Sequence, residues 1–88
     1  MPTISMFFGI VIRMYLVSKE HESAHFHAFY QDFKAIFSID TCEMPEGDLP
    51  KKQRKLVEAW AELNRDELQA DWKLAQNDEL PFNIDPLK

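Results

Sequence analysis

The chain has one cysteine, two glycines and no uninterrupted apolar run of membrane-spanning length. Cys42 stands alone, so an internal disulfide is excluded and a reducing compartment is the natural setting. Its own segment offers no histidine partner, and the thiol reads as a small packing group. The most apolar stretch, residues 4–17, is interrupted by Arg13 and falls short of the ~18–20 residues that cross a bilayer. No small-residue cleavage site follows it, so a soluble, cytoplasmic protein without a membrane partner is expected. The scarcity of glycine, with 45% hydrophobic and 28% charged residues, excludes a low-complexity or disordered chain. Eighty-eight residues without repeats suffice for a single domain around one core.

A surplus of positive charge is also missing. The formal net charge is −5, which opposes general binding to a phosphate backbone. The charge is unevenly spread. Lys51, Lys52, Arg54 and Lys55 are four of the ten basic residues, whereas from Leu56 onward eight acids meet only Arg65, Lys73 and Lys88. Cations at a helix start oppose its dipole at up to ~0.3–1 kcal/mol each. This basic quartet is a candidate site for a partner's acidic groups or phosphate, against the plainer reading of a solvated surface.

What is present points to strands followed by helices. Residues 10–17 are rich in β-branched and aromatic side chains and predict a strand. Residues 25–31 and 33–40 predict two more around a tight turn at Gln31-Asp32, with residues 3–8 as an extra short strand. Residues 41–44 are ambiguous and can add a short edge strand, after which residues 45–50 break the pattern. Asp48 is the expected N-cap of a first helix, with Pro50 in its first turn and a stripe of Leu56, Val57, Trp60 and Leu63. Asn64 with Glu67 three positions later predicts a restarted helix carrying Leu68, Trp72 and Ala75 inward, ended by Asn77-Asp78. An extended tail follows. The organisation is thus one domain over residues 1–88, with a sheet portion at 1–46, two helices within 48–77 and the tail at 78–88.

Strand alternation then sorts the faces. Ile10, Ile12, Met14, Leu16, Phe26, Ala28, Tyr30, Phe33, Ala35, Phe37 and Ile39 should meet helices bearing Trp60 and Trp72. The other face should carry Val11, Arg13, Tyr15, His25, His27, Phe29, Lys34, Ile36, Ser38 and Asp40. The helical spacing of both tryptophans with leucines marks them as core rather than as ligand-stacking groups.

Three histidines carry the chemistry. His25 and His27, two residues apart in a strand, share a face, and His21 can fold back towards them as a third ligand for a divalent metal. Glu20 or Glu22 can add an oxygen. A second reading is acid–base work. One imidazole takes a proton while the other gives one, and Arg13 beside Tyr15 stabilises a phosphoryl oxyanion, as in a metal-independent RNase-like phosphodiesterase. The plainer alternative is a strand whose imidazoles bond to neighbouring backbone or to Tyr15.

Residues 1–5, Phe8-Gly9-Ile10, Ile12-Arg13-Met14-Tyr15 and His25-Phe26-His27-Ala28 together resemble the bacterial family catalogued as domain of unknown function 4160. The Asp71-Trp72-Lys73-Leu74-Ala75 and Ile84-Asp85-Pro86-Leu87 segments extend the resemblance over nearly the whole chain. One departure is Ala24, where the family often has proline before the paired histidines. The resemblance implies a protein encoded beside another small protein, in the manner of toxin–antitoxin pairs, and implies no chemistry of its own.

The sequence therefore predicts an α+β fold with a three- to four-stranded antiparallel sheet and two C-terminal helices on one face. The leading functional expectation is a protein-interaction module, possible component of a toxin–antitoxin-like pair, whose partner is the product of an adjacent gene. That partner would meet the Arg13/Tyr15/His25/His27 face, an open sheet edge, or both. The competing expectation is the histidine-dependent enzyme or metal protein.

Overall fold

The structure, a computed structural model, describes residues 2–16 and 23–88. It is α+β, with an antiparallel sheet in the order β1 (Thr3–Phe7), β2 (Ile10–Arg13), β3 (His25–Tyr30), β4 (Phe33–Ser38) and β5 (Glu46–Gly47). Helices α1 (Lys51–Leu63) and α2 (Arg65–Gln76) follow. The sheet has five strands rather than three or four. The addition is β5, two residues lying past the ambiguous 41–44 segment, which itself forms no strand.

Local sequence explains the hairpins. Phe7 faces Ile10 across a two-residue turn in which Phe8 and Gly9 both have positive φ, at 50° and 79°. A primed turn of this kind matches the twist of the flanking strands, and Gly9 adopts its half without a steric penalty. Tyr30 faces Phe33 across Gln31-Asp32, as the turn chemistry predicts. The β1–β2 register shifts between Thr3 and Ser5, so Ile4 and Ser5 are both buried.

The alternation places the core as expected. Ile10, Ile12, Met14, Phe26, Ala28, Phe37 and Ile39 are buried with Val57, Trp60, Leu68, Trp72 and Ala75 from the helices. Four local expectations fail. Leu16 is exposed, because β2 ends at Arg13 instead of continuing to residue 17, which lies outside the described residues. Leu63 is 76% exposed and Ala61 is buried instead, since Val57, Trp60 and Ala61 centre the buried face and Leu63 lies about a third of a turn round the helix from it. The cap of α1 is Pro50 rather than Asp48, whose backbone N–H is instead committed to the Lys34 carbonyl at 3.0 Å. The Asn64 side chain makes no capping box for α2; its Nδ2 donates to the Trp60 carbonyl and closes the end of α1. Cys42 is buried at φ 60°, consistent with a packing role.

The tail is extended but not loose. Phe82 N–H donates to Asp71 Oδ1 at 3.0 Å, Ile84 N–H to the Ile4 carbonyl at 2.7 Å, and Trp60 Nε1–H to the Asp85 carbonyl at 2.9 Å. It is thereby tied in turn to α2, β1 and α1, and Ile84 joins the core.

Asp71 is the charged group in this buried layer, and burial pushes its carboxyl above the ordinary carboxylate range. The Phe82 N–H opposes the shift and Glu67, one turn earlier, adds to it. A carboxyl with a raised folded pKa contributes most stability below its unfolded pKa and loses it as pH rises through the folded value. Asp71→Asn removes that loss while keeping an acceptor for Phe82. Its stability relative to the parent protein should therefore be higher at pH 7 than at pH 3, checked by urea unfolding at both. An unchanged difference would mean that Asp71 titrates normally.

Candidate functional site

The register assembles the site. Arg13 lies opposite His27 and Val11 opposite Phe29 between β2 and β3. Across β3 and β4, His25 meets Ser38, His27 meets Ile36 and Phe29 meets Lys34, while Glu46 of β5 meets Ile36. One row therefore runs Arg13, His27, Ile36, Glu46, and a neighbouring row runs Val11, Phe29, Lys34. Both lie on the sheet face away from α1 and α2, and most of their side chains are half-buried rather than covered.

Arg13 on β2, His25 and His27 on β3, and Tyr15 two residues past the end of β2 gather in one place. His27 is the hub. Its ring centroid lies 4.3 Å from that of Tyr15, edge-on, and 5.4 Å from that of His25. Phe29 lies nearly parallel to it, 13° from coplanar, at 6.4 Å. The Arg13 guanidinium carbon stands 5.5 Å from the Phe29 centroid, within cation–π range. His25 occupies the rim where β3 begins, its Nδ1 2.7 Å from the Ser23 carbonyl. A hydrogen bond there requires the proton on Nδ1.

Three side chains outside the predicted set complete the surroundings. Trp72 packs its ring 5.0 Å from His25, so this core tryptophan also backs the site. Helical spacing correctly placed Trp72 in the core, but no pattern in the sequence signals that it reaches the rim. Phe29 stood on the correct face without being singled out, although its period-2 relation to His27 was available. Glu46 could not be foreseen, because β5 is too short to show any pattern.

Open clefts flank the cluster. One of ≈ 340 Å³ is bounded by Tyr15, His27, Phe29, Lys34, Ile36 and Glu46. A second of ≈ 340 Å³ adjoins it through Ile36 and Glu46 and reaches His25 and Pro45. A third, ≈ 620 Å³, begins on Tyr15 and is walled by Pro2, Leu16 and Leu80. The first two share Ile36 and Glu46 and form a broken trough along the open face, and Tyr15 stands between that trough and the third cleft.

The basic quartet does not join it. Lys51, Lys52, Arg54 and Lys55 are exposed on the first turns of α1, in the helix layer. Arg54 Nε donates to Glu58 Oε2 at 3.4 Å. As for metal, no group of three His, Cys, Asp or Glu side chains converges among the described residues. His21, the third member of the expected trio, lies outside them, as do Glu20 and Glu22.

Residues 9–73 match the family described as Domain of unknown function (DUF4160). The chain belongs to that family. The DUF4160 match runs from Gly9 to Lys73, so it contains the whole ring cluster together with Trp72. No curated protein and no solved structure matches the chain. Among the described residues no helix is long and apolar enough to cross a membrane.

Proposed function

We propose that this DUF4160 protein is an interaction module that takes a protein partner on the open face of its sheet. The observation that carries the reading is the ring cluster of Tyr15, His27 and Phe29, half-exposed on the sheet face away from the helices, with His25 at its rim between His27 and Trp72 of α2. Aromatic side chains give large contact areas at small entropic cost, and a patch of them on a small protein marks a contact surface.

The edges of the sheet are less suited to a partner strand. On the β4 side, Lys34 O accepts from Asp48 N–H and Ser38 N–H donates to Glu43 O, and only the two-residue β5 lies beyond. On the β1 side the Ile4 carbonyl is taken by Ile84. Strand addition needs a run of open backbone groups, and such commitments shorten it. The face is the better platform. A phosphodiesterase role has weaker support, because the imidazoles pack ring against ring beside open clefts and the chain carries a charge of −5.

The partner we favour is the product of an adjacent gene, as in a toxin–antitoxin-like pair. Co-expression with that product should give a complex that survives purification, and His27→Ala should weaken it at least tenfold by calorimetry. Lys52→Ala, on the first turn of α1, should leave it unchanged. A protein that ignores the product, or a complex sensitive only to the helix substitution, would overturn the reading.

A further inference from the structure

We propose that the open face recognises an extended acidic segment of the partner, with a carboxylate held at Arg13 and an aliphatic side chain seated beyond Tyr15. This inference rests on the face being the partner site and adds the chemistry of what it binds.

Charge supplies the first argument. Arg13 and Lys34 bracket Phe29, one against its ring and the other directly across the strand pair. Neither has an ion-pair partner among the described residues. Arg13 Nε is shielded from solvent and has no acceptor there either. A shielded donor without an acceptor is costly, and a guanidinium presents Nε and one Nη as a fork that fits a carboxylate. A modest turn of the guanidinium towards an incoming carboxylate would satisfy Nε and neutralise the charge together. Glu46, the acid that lines the trough beside this row, lies three strand spacings from Arg13, about 14 Å. At physiological salt that exceeds the screening length of about 8 Å, so its repulsion is weak.

Shape supplies the second argument and separates a peptide from a nucleic acid. Tyr15 stands two residues beyond Arg13, just past the end of β2. Past it the third cleft is walled by Pro2, Leu16 and Leu80, and the last two are 41% and 70% exposed. That cleft, aliphatic apart from Tyr15, suits a leucine-like side chain and holds no cation for a phosphate. An extended peptide sends alternate side chains to one face about 6.8 Å apart, so an acid at Arg13 can be followed two positions on by an aliphatic residue beside Tyr15.

The test uses the full chain and the labelled peptide Glu-Ser-Glu-Ser-Leu-Ser-Glu, read by fluorescence anisotropy and by amide and side-chain NMR shifts. The peptide should bind with shifts centred on Arg13, Phe29 and Leu16, and its lysine-for-glutamate counterpart should not. Arg13→Gln should weaken binding about tenfold or more. Lys34→Glu, an exposed change that leaves the core untouched, should weaken it about threefold and favour the lysine peptide. Absence of binding, affinities unmoved by both substitutions, or preferential capture of a labelled single-stranded RNA of equal length would overturn the proposal. If the adjacent gene's product still binds the face in a His27-dependent way while both charge variants behave as the parent, only the acidic chemistry fails. If the product ignores the face, the interaction reading itself fails.

Discussion

Trp60→Ala is expected to remove about 3–5 kcal/mol of stability. A domain of this size has roughly 4–13 kcal/mol in total, so the loss is about a quarter of its stability or more. Trp60 is fully buried, with ring centroids 5.4 Å from Phe7 and 5.7 Å from Phe26. It therefore bridges β1, β3 and α1, and a methyl group in its place leaves a cavity bordered by three elements. The indole N–H also donates to the Asp85 carbonyl, so the same substitution frees the segment that seats Ile84 against Ile4. Trp60→Phe separates the two contributions. It keeps most of the ring and loses the hydrogen bond, at about 1 kcal/mol plus a small packing loss. Leu63→Ala, on the same helix but largely exposed, should stay within about 0.5 kcal/mol of the parent. Urea unfolding followed by the fluorescence of Trp72 orders the three. A Trp60→Ala loss as small as that of Leu63→Ala would refute the bridging role.

Much of this core was legible because two periodicities are written strongly. In β2, β3 and β4 an apolar residue occupies every second position, buried at Ile10, Ile12, Phe26, Ala28, Ala35 and Phe37, and this phase sends His25 and His27 away from Trp60. Arg13 against His27 then needs only the hairpin order. What the pattern could not supply is information held between elements. Leu63 looks like a stripe residue and is exposed, whereas Ala61 looks neutral and is buried, because the rotation at which α1 docks, centred on Val57, Trp60 and Ala61, decides between them. Ile84 sits between two prolines in a segment without periodicity, and its burial depends on hydrogen bonds to Ile4 and from Trp60 that no local signal announces. The basic residues at the start of α1 show the converse. They are the most conspicuous charge feature of the sequence, yet the fold sets them in the layer away from the rings.

Gly47→Ala should have the second largest effect, and it should act on the trough more than on the core. Gly47 has φ 94° and pairs with Ala35, while its neighbour Glu46 pairs with Ile36. A Cβ at this position would run into the Lys34 carbonyl and lie 2.5 Å from Ala35 Cα and 3.1 Å from Ala35 Cβ. Two of these neighbours are backbone atoms of a central strand, so the two-residue β5 must move instead. Loss of its ladder and of the Asp48–Lys34 bond, about 1 kcal/mol each, adds to a conformational cost of roughly 1–2 kcal/mol. The expected total is about 3–4 kcal/mol. Gly9→Ala is the control, because it also sits at positive φ, 79°, but its Cβ would meet only Tyr30 side-chain carbons at 3.5 Å or more. That variant bears the conformational cost alone. Hydrogen exchange at the Asp48 amide should accelerate in Gly47→Ala and not in Gly9→Ala, while amides of β2 and β3 stay protected in both. Partner binding should fall with the loss of the β5 wall even where the sheet remains folded. Equal stability and equal Asp48 exchange in the two variants would show that β5 yields without cost and does not shape the trough.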